Sequence, residues 1–172
     1  MTPEITCCFS GHRPPRLPWG DREEDPRCQD LKARLAQALD QAYQEGYRHF
    51  LCGMAQGTDL YFCQAVLDLR QRHPEVTLEA AIPFAGQADR WPIADQRRRL
   101  ALLDQCDLET VVQHTYSPGC MSRRNRYMVD HASLLIAVYD GIPQGGTLNT
   151  LAYAIHKGVR TVILPVDADE EP

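Results

Sequence analysis

Short apolar runs alternate along the chain with longer segments in which apolar residues recur every three or four positions. The short runs are typical of strands buried on both faces, whereas the longer spacing is that of one face of a helix. Six strands are predicted, over residues 4–9, 48–52, 76–82, 108–112, 134–139 and 161–164. Five helices are predicted between them, over residues 31–42, 59–72, 93–103, 122–131 and 148–156.

This alternation determines the expected fold class. Strands that alternate with helices of this length imply right-handed βαβ crossovers and a mainly parallel sheet with helices on both faces. We therefore expect an α/β, Rossmann-like fold with about six strands. A chain of 172 residues has the size of one ordinary domain. A single domain over residues 1–172 is predicted, with residues 166–172 as a polar C-terminal tail.

Charge and hydropathy narrow the classes of partner. The formal net charge is -5 and the pI is about 5.6, so long-range electrostatics oppose broad attraction to nucleic acid or to an anionic membrane. No apolar stretch approaches the roughly 18 residues of a membrane span, and no basic region followed by an apolar one opens the chain. We expect a cytoplasmic protein with no membrane partner, for which nucleic acid is a disfavoured partner and any anion site is local.

Seven cysteines form an odd set without a C-x-x-C pair. They lie singly on predicted strands, helices and loops, which favours reduced and mostly buried thiols over a disulfide framework. Cysteine is a common small core residue, so a catalytic or metal-binding thiol is disfavoured. No metal site and no cofactor are predicted.

The residues that follow each strand are where function is expected. In an open α/β sheet, ligands bind outside the carboxyl ends of the strands. The first strand is followed by Ser10, Gly11, His12 and Arg13. Arg13 carries a planar, permanently charged fork that suits a pair of anionic oxygens. His12 either orients a sugar or base or caps a backbone group.

Two glycine-bearing loops, "GMAQGTD" and "DGIPQGGT", each precede a predicted helix. Free N–H groups and the positive end of a helix at such a loop favour a phosphate or carboxylate. The candidate residues are Gly53, Gly57, Thr58 and Asp59 in the first loop and Gly145, Gly146 and Thr147 in the second. Neither loop has the G-x-G-x-x-G or G-x-x-x-x-G-K-[ST] spacing, so a dinucleotide fingerprint or a P-loop is disfavoured. Each loop alone is equally compatible with an ordinary βα turn.

Four further residues complete the predicted ligand site. Arg124 and Asn125 lie at the entry of the helix that precedes the fifth strand. Three arginines lie within residues 122–126, and on a helix at most two of them face the crevice. Phe84, after the third strand, either stacks on a base or packs between loop and helix. Asp140 ends the fifth strand.

These motifs together resemble the SLOG superfamily, which includes the LOG phosphoribohydrolases and the DprA recombination mediators. The likeness is carried by "SGHRP", "GMAQGTD", "IPF", "RNRYMVDHASLLIAVYDG" and the closing "GGT", in that order, over residues 5–165. The chain looks most like the YpsA-like branch. The resemblance implies a nucleotide or nucleotide-derived ligand. DNA binding of the DprA kind is disfavoured by the acidic charge balance and by the lack of a basic, aromatic-bearing stripe.

The resemblance leaves the question of catalysis open. LOG enzymes, which cleave the N-glycosidic bond of cytokinin-type ribonucleotides, carry P-G-G-x-G-T-x-x-E at the fifth loop. Aligning that motif on Gly146 and Thr147 places Thr150 where their catalytic glutamate stands. The leading hypothesis is therefore a sensor-type protein that binds a nucleotide-type small molecule through a phosphate site. The alternative is a LOG-like phosphoribohydrolase that uses Asp59 or Asp140. A homo-oligomer is compatible with both hypotheses.

Overall fold

The computed structural model describes residues 2–168, and the predicted polar tail lies outside the described residues from position 169 onward. All six predicted strands and all five predicted helices are present in it. The strands are β1 (Thr6–Gly11), β2 (His49–Cys52), β3 (Thr77–Phe84), β4 (Leu108–Gln113), β5 (Leu134–Tyr139) and β6 (Arg160–Pro165). The helices are α1 (Pro26–Gln44), α2 (Thr58–Arg72), α3 (Ile93–Leu103), α4 (Cys120–Asp130) and α5 (Gly146–His156).

Helix α1 begins five residues earlier than its apolar pattern predicts. Asp25 accepts a hydrogen bond from the backbone N–H of Arg27 at 2.9 Å, and Pro26 occupies the first helical turn. An aspartate cap and a proline at this position are the usual start of a helix. The first turn points polar residues to solvent, so hydrophobic periodicity alone does not detect it. The buried face begins with Cys28 and Leu31.

The six strands form one parallel sheet in the order β4-β3-β2-β1-β5-β6, which confirms the predicted α/β fold class. The chain builds the sheet outward from β1 to β4 and then returns to the other side of β1 with β5. The loops that follow the adjacent strands β1 and β5 therefore lead to opposite faces of the sheet. Such a reversal of strand order opens a crevice at the carboxyl edge of the sheet.

Two apolar clusters cover the two faces of the sheet. Successive side chains of a strand point to opposite faces. Accordingly Cys7 and Phe9 of β1 belong to the cluster that packs on α1 and α2, where Phe9 stacks on Phe62 with ring centroids 4.6 Å apart. Cys8 belongs to the cluster on the opposite face, with Met128 of α4 and residues of α5. Helices therefore lie on both faces, as predicted.

No helix within residues 2–168 combines the length and the apolarity needed to cross a membrane.

Candidate functional site

A crevice of about 360 Å³ lies at the carboxyl edge of the sheet, where the loops after β1 and β5 diverge. The start of α5 forms one wall, the loop after β1 forms another, and α4 contributes a third. The predicted site residues that line it are Ser10, Gly11, His12, Arg13, Asp59, Arg124, Asn125, Gly145, Gly146 and Thr147. The topology thus brings together residues from four separate parts of the sequence.

The other predicted residues lie behind or beside this crevice rather than on its surface. Gly53, Gly57 and Thr58 form the buried loop that supports it, and Asp140 lies beneath the loop after β1. Phe84 packs edge-on against Tyr116, with ring centroids 5.4 Å apart.

Arg13 is an exposed cation at the mouth of the crevice. Its backbone φ and ψ are extended, because the short 3-10 helix Pro14–Arg16 begins immediately after it. Its guanidinium makes no hydrogen bond or ion pair with another group in the part of the chain that the structure describes. Arg13 is therefore available to an anion from solvent.

Arg16, which is not among the predicted site residues, connects the loop after β1 to the loop after β5. Its Nε and Nη2 donate to the Asp140 carboxylate at 3.2 and 2.7 Å, and its Nη1 donates to the carbonyl of Gln144 at 2.7 Å. Burial alone would raise the pKa of the Asp140 carboxyl, but hydrogen bonds from Ile142 N–H and Arg16 lower it. Asp140 is thus charged, and its ion pair with Arg16 holds the two loops together. In the sequence, the role of Arg16 is indicated by its place as the second arginine of "RPPR".

His12 is neutral in this arrangement. The residue is 3% exposed, and its Nε2 accepts a hydrogen bond from the backbone N–H of Asp140 at 3.1 Å. Burial lowers the pKa of the imidazole, and it outweighs the opposing effect of the Asp140 carboxylate 3.3 Å away. The backbone carbonyl of His12 accepts from Thr58 Oγ1 at 2.8 Å. His12 therefore positions the backbone of Asp140 and of Thr58, and part of its surface lines the crevice.

The loop after β2 is occupied by the protein's own side chains. The carbonyl of Gly53 accepts hydrogen bonds from the Arg124 guanidinium and from Gln87 Nε2, the latter at 3.0 Å. A Cβ at Gly53 would lie 2.6 Å from Arg124 Nη1, so glycine is required for this approach. Gly57 has a φ of +82°, and a Cβ there would meet Pro14 Cδ at 2.9 Å. The glycines of this loop therefore serve internal packing.

Asp59 is the carboxylate that faces the crevice. It lies in the first turn of α2, is 6% exposed, and accepts a hydrogen bond from the backbone N–H of Ala55 at 3.1 Å. Burial raises the pKa of this carboxyl against the opposing influence of Arg124, which is itself buried and whose pKa burial lowers. Asp59 and Arg124 are thus a buried acidic and a buried basic residue that interact with each other at the base of the crevice.

The start of α5 presents backbone donors to the crevice. Gly145 has a φ of +99° and precedes the helix without a side-chain cap. Within residues 2–168, the amide groups of Gly146 and Thr147 have no acceptor from the chain. A Cβ built on Gly146 would meet nothing within 4 Å. This helix end therefore offers open N–H groups beside Arg13.

Comparison with known proteins gives the family. The YpsA family model, described as the YspA SLOG family, matches residues 7–161 of this chain. The chain belongs to this SLOG family. The resemblance to the YpsA-like branch is confirmed.

Three curated relatives of this SLOG protein come from Bacillus species. The SPbeta prophage-derived protein YoqJ of Bacillus subtilis is 31% identical over 144 residues, which cover 76% of this chain and 84% of YoqJ. A UPF0398 protein of Bacillus pumilus is 26% identical over 69% of this chain, and UPF0398 protein YpsA of Bacillus subtilis is 27% identical over 67% of it. The matches cover 65% and 63% of those two proteins, so the chain spans a little under two thirds of each.

Solved structures are also similar to this chain. The X-ray structure of TM1055 matches with a TM-score of 0.47 and 14% sequence identity, over 92% of this chain and 68% of that chain.

Thr150 of this SLOG protein lies one helical turn beyond the crevice. Its Oγ1 donates to the carbonyl of Gly146 at 2.9 Å, and the residue is 3% exposed. It lines a second cavity of about 670 Å³ between α4 and α5. Asn125 and Gly146 line both cavities, so the two adjoin. The hydroxyl at the position of the LOG glutamate is thus engaged with the helix backbone.

The described residues 2–168 contain no group of three or more His, Cys, Asp or Glu side chains arranged to hold a metal ion.

Proposed function

We propose that this protein binds a nucleotide or nucleotide-derived small molecule in the crevice between the loop after β1 and the start of α5, as a sensor-type protein. One observation carries the proposal. The exposed guanidinium of Arg13 and the open N–H groups at Gly146 and Thr147 border the same crevice, at the reversal of strand order. A helix N-terminus beside an arginine is the combination that binds phosphate oxygens.

The local charge supports an anionic ligand in a chain whose net charge is -5. Arg13 makes no hydrogen bond or ion pair within the described chain, Arg16 is neutralised by Asp140, and the single carboxylate of Asp59 faces both Arg124 and Arg13. The crevice therefore has one uncompensated cation, to which the positive end of α5 adds. A monoanionic or dianionic phosphate group fits this balance.

The adjoining cavity favours a ligand larger than phosphate alone. It continues from Gly146 along the groove between α4 and α5, and it is the larger of the two spaces. Asn125 stands at the junction, where its Oδ1 accepts a hydrogen bond from Arg124 Nε at 2.8 Å. A phosphate at Gly146 leaves the sugar and base to occupy this groove.

Calorimetric titration tests the phosphate site. Adenosine 5′-monophosphate and adenosine serve as the probes, and Arg13→Ala is compared with the wild type. A charge-assisted hydrogen bond contributes about 1.5–3 kcal/mol, so we expect Arg13→Ala to weaken the monophosphate about tenfold or more. Arg97→Ala removes an exposed cation of α3 and is the matched control, with unchanged affinity. Equal affinity of wild type and Arg13→Ala, or equal affinity for adenosine and its monophosphate, would contradict the proposal.

A second candidate function is hydrolysis of an N-glycosidic bond, as in LOG enzymes. The observation that favours it is Asp59, a buried carboxyl at the crevice whose pKa is raised, which is the property of a general acid. Thr150 has no ionisable group to share that task, which is why we place binding first.

Release of free base separates the two functions. If the protein only binds, incubation with adenosine 5′-monophosphate produces no adenine above the uncatalysed background. The control variant is Asp21→Asn, because Asp21 is exposed. If the wild type and Asp21→Asn release adenine but Asp59→Asn does not, the protein is a hydrolase and the sensor proposal is contradicted.

A further inference from the structure

The segment between β5 and α5, residues 140–145, leads directly into the open helix end. Four of its six residues are exposed, so apolar burial contributes little to its conformation. Within the segment, the Ile142 N–H donates to Asp140 Oδ1 at 3.0 Å, and the Ile142 carbonyl accepts from the Gln144 N–H at 2.7 Å. Exposed backbone hydrogen bonds of this kind give low local stability. Contacts from outside the segment therefore decide where the start of α5 lies.

Arg16 supplies such contacts at both ends of the segment. Its Nε and Nη2 donate to the carboxylate of Asp140, the first residue, and its Nη1 donates to the carbonyl of Gln144, the residue before the last. The three nitrogens belong to one rigid plane, so the guanidinium fixes the two ends relative to each other. Lysine has the same charge but a single nitrogen on a flexible stem. The arrangement therefore depends on the shape of the arginine and not on its charge alone.

Arg16 also lies directly against the residue before α5. A Cβ built on Gly145 would collide with Arg16 Nη1, whereas a Cβ on Gly146 would meet nothing within 4 Å. The guanidinium thus borders the backbone that continues into the open amides of Gly146 and Thr147. The contact with Gly145 and the bond to the Gln144 carbonyl together fix the direction of these first amides.

The ion pair also offsets a negative charge beside the anion site. The Asp140 side chain is 1% exposed, and Arg16 Nη2 lies 2.7 Å from its Oδ1. Without this partner, the buried carboxylate would repel a phosphate and would act on His12, whose Nε2 lies 3.3 Å from the same oxygen. Burial lowers the pKa of His12, the Asp140 charge raises it, and the Arg16 charge lowers it, while the Tyr139 ring packs 5.8 Å away between centroids. Loss of Arg16 therefore raises the pKa of His12.

We propose that Arg16 is a positioning residue of the anion site, which holds residues 140–145 so that the first amides of α5 face the crevice. This inference rests on the proposed function, because it assigns a role within the same site. All three nitrogens of the Arg16 guanidinium are engaged within the chain. Arg13 therefore supplies the charge that meets the phosphate, whereas Arg16 acts through the loop.

Calorimetric titration with adenosine 5′-monophosphate compares Arg16→Lys with Arg16→Ala. Neither side chain can join both ends of the segment, so both variants should bind about tenfold or more weakly than the wild type, and within about twofold of each other. Arg22→Lys is the matched control with unchanged affinity, because Arg22 is an exposed arginine of the connection between β1 and α1. Wild-type affinity in Arg16→Lys would overturn the proposal, because charge alone would then be sufficient.

Two measurements on the ligand-free protein test whether Arg16 holds the loop. Hydrogen exchange followed by NMR should accelerate about fivefold or more at the amides of Ile142 and Gln144 in both Arg16 variants. The pKa of His12, followed by its ring C–H signals, should rise in Arg16→Ala. Arg13→Ala removes the other cation of the crevice and should leave both readings as in the wild type. Unchanged exchange and an unchanged His12 titration in Arg16→Ala would overturn the proposal, whatever the affinity of that variant.

The outcomes also separate this inference from the proposed function. A wild type that binds no adenosine 5′-monophosphate contradicts the proposed function, and the exchange and titration data then decide the role of Arg16 in the loop. Faster exchange in the buried strand β2 as well as in the segment would show that Arg16→Ala loosens the whole fold. That result would also overturn a role confined to the start of α5.

Discussion

The two glycine-bearing loops at the carboxyl edge of the sheet have similar sequences but different uses. Both precede a helix, α2 or α5, and both have a glycine with positive φ directly before it, Gly57 or Gly145. At α2, the first amide, that of Thr58, donates to the carbonyl of His12 at 3.2 Å. At α5, the amides of Gly146 and Thr147 have no acceptor within the described chain, and Gly146 is exposed.

The difference teaches that glycine before a helix has two distinct purposes. In the loop after β2, the missing side chains admit Arg124 and Pro14, which pack directly on the backbone. In the loop after β5, Gly145 likewise leaves room for Arg16, but the missing side chain at Gly146, the first residue of α5, leaves the helix end open. The first loop supports the crevice from behind, and the second borders it as the proposed anion-binding face. Changes in the first should therefore affect folding, and changes in the second should affect binding.

The largest expected effect is that of Gly57→Val on stability. A valine at a φ of +82° is strained, and its Cβ would lie 2.9 Å from Pro14 Cδ and 3.0 Å from the carbonyl oxygen of His12. Strain and overpacking together should cost about 3 kcal/mol or more of the free energy of unfolding. Urea denaturation measures it, with Gly146→Ala as the matched control. A loss of the same size in both variants would erase the distinction between the loops.

A smaller loss of stability is expected for Glu79→Gln. Glu79 of β3 is 7% exposed, and its carboxylate accepts from Tyr127 of α4 at 2.7 Å and from Thr110 at 3.0 Å, with His49 Nε2 at 2.9 Å. This network holds α4 in place, and α4 carries Arg124, whose guanidinium donates to the carbonyl of Gly53 in the loop after β2. Breaking it should cost about 2 kcal/mol in urea denaturation. Tyr127→Phe, which removes one bond, should cost less, and the reverse order would contradict this account.

The same carboxylate gives a pH dependence with a definite sign. Burial would raise the pKa of Glu79, but hydrogen bonds involving His49, Tyr127 and Thr110 lower it to about 2. As the pH falls, the unfolded chain therefore takes up this proton at a higher pH than the folded chain does. The contribution of the Glu79 carboxylate to the free energy of unfolding is complete above the ordinary glutamate pKa of about 4.3. It is lost as the pH falls from there toward about 2. Unfolding curves of Glu79→Gln should show a weaker acid dependence over this window than those of the wild type.

The smallest expected effect is that of Thr58→Val. The substitution keeps the shape of a fully buried side chain and removes the bond from Thr58 Oγ1 to the carbonyl of His12. The carbonyl keeps its bond from the Thr58 amide, so the loss should be about 1 kcal/mol. Thr58→Ser keeps the hydroxyl and serves as the comparison. A Thr58→Val variant as stable as the wild type would show that the loop after β2 is less tightly held than its contacts indicate.

Much of this fold could be predicted from periodicity, because strands buried on both faces and amphipathic helices have distinct patterns. The position of the crevice followed from the rule for strand ends. The different uses of the two loops could not be predicted, since they depend on Arg124 and Gln87, which approach from distant parts of the sequence. The role of Arg16 is hidden for the same reason, because its partner Asp140 lies 124 residues away.

The most direct test of the central claim is the affinity of Gly146→Asp for adenosine 5′-monophosphate, measured by calorimetry beside Gly146→Ala. A Cβ at Gly146 would have no neighbour within 4 Å, and an aspartate in the first turn of a helix favours the fold. If the start of α5 holds the phosphate, the aspartate should repel it and weaken binding about 100-fold or more, while the alanine variant stays close to the wild type. Equal affinity of the aspartate and alanine variants would contradict a phosphate site at this helix end.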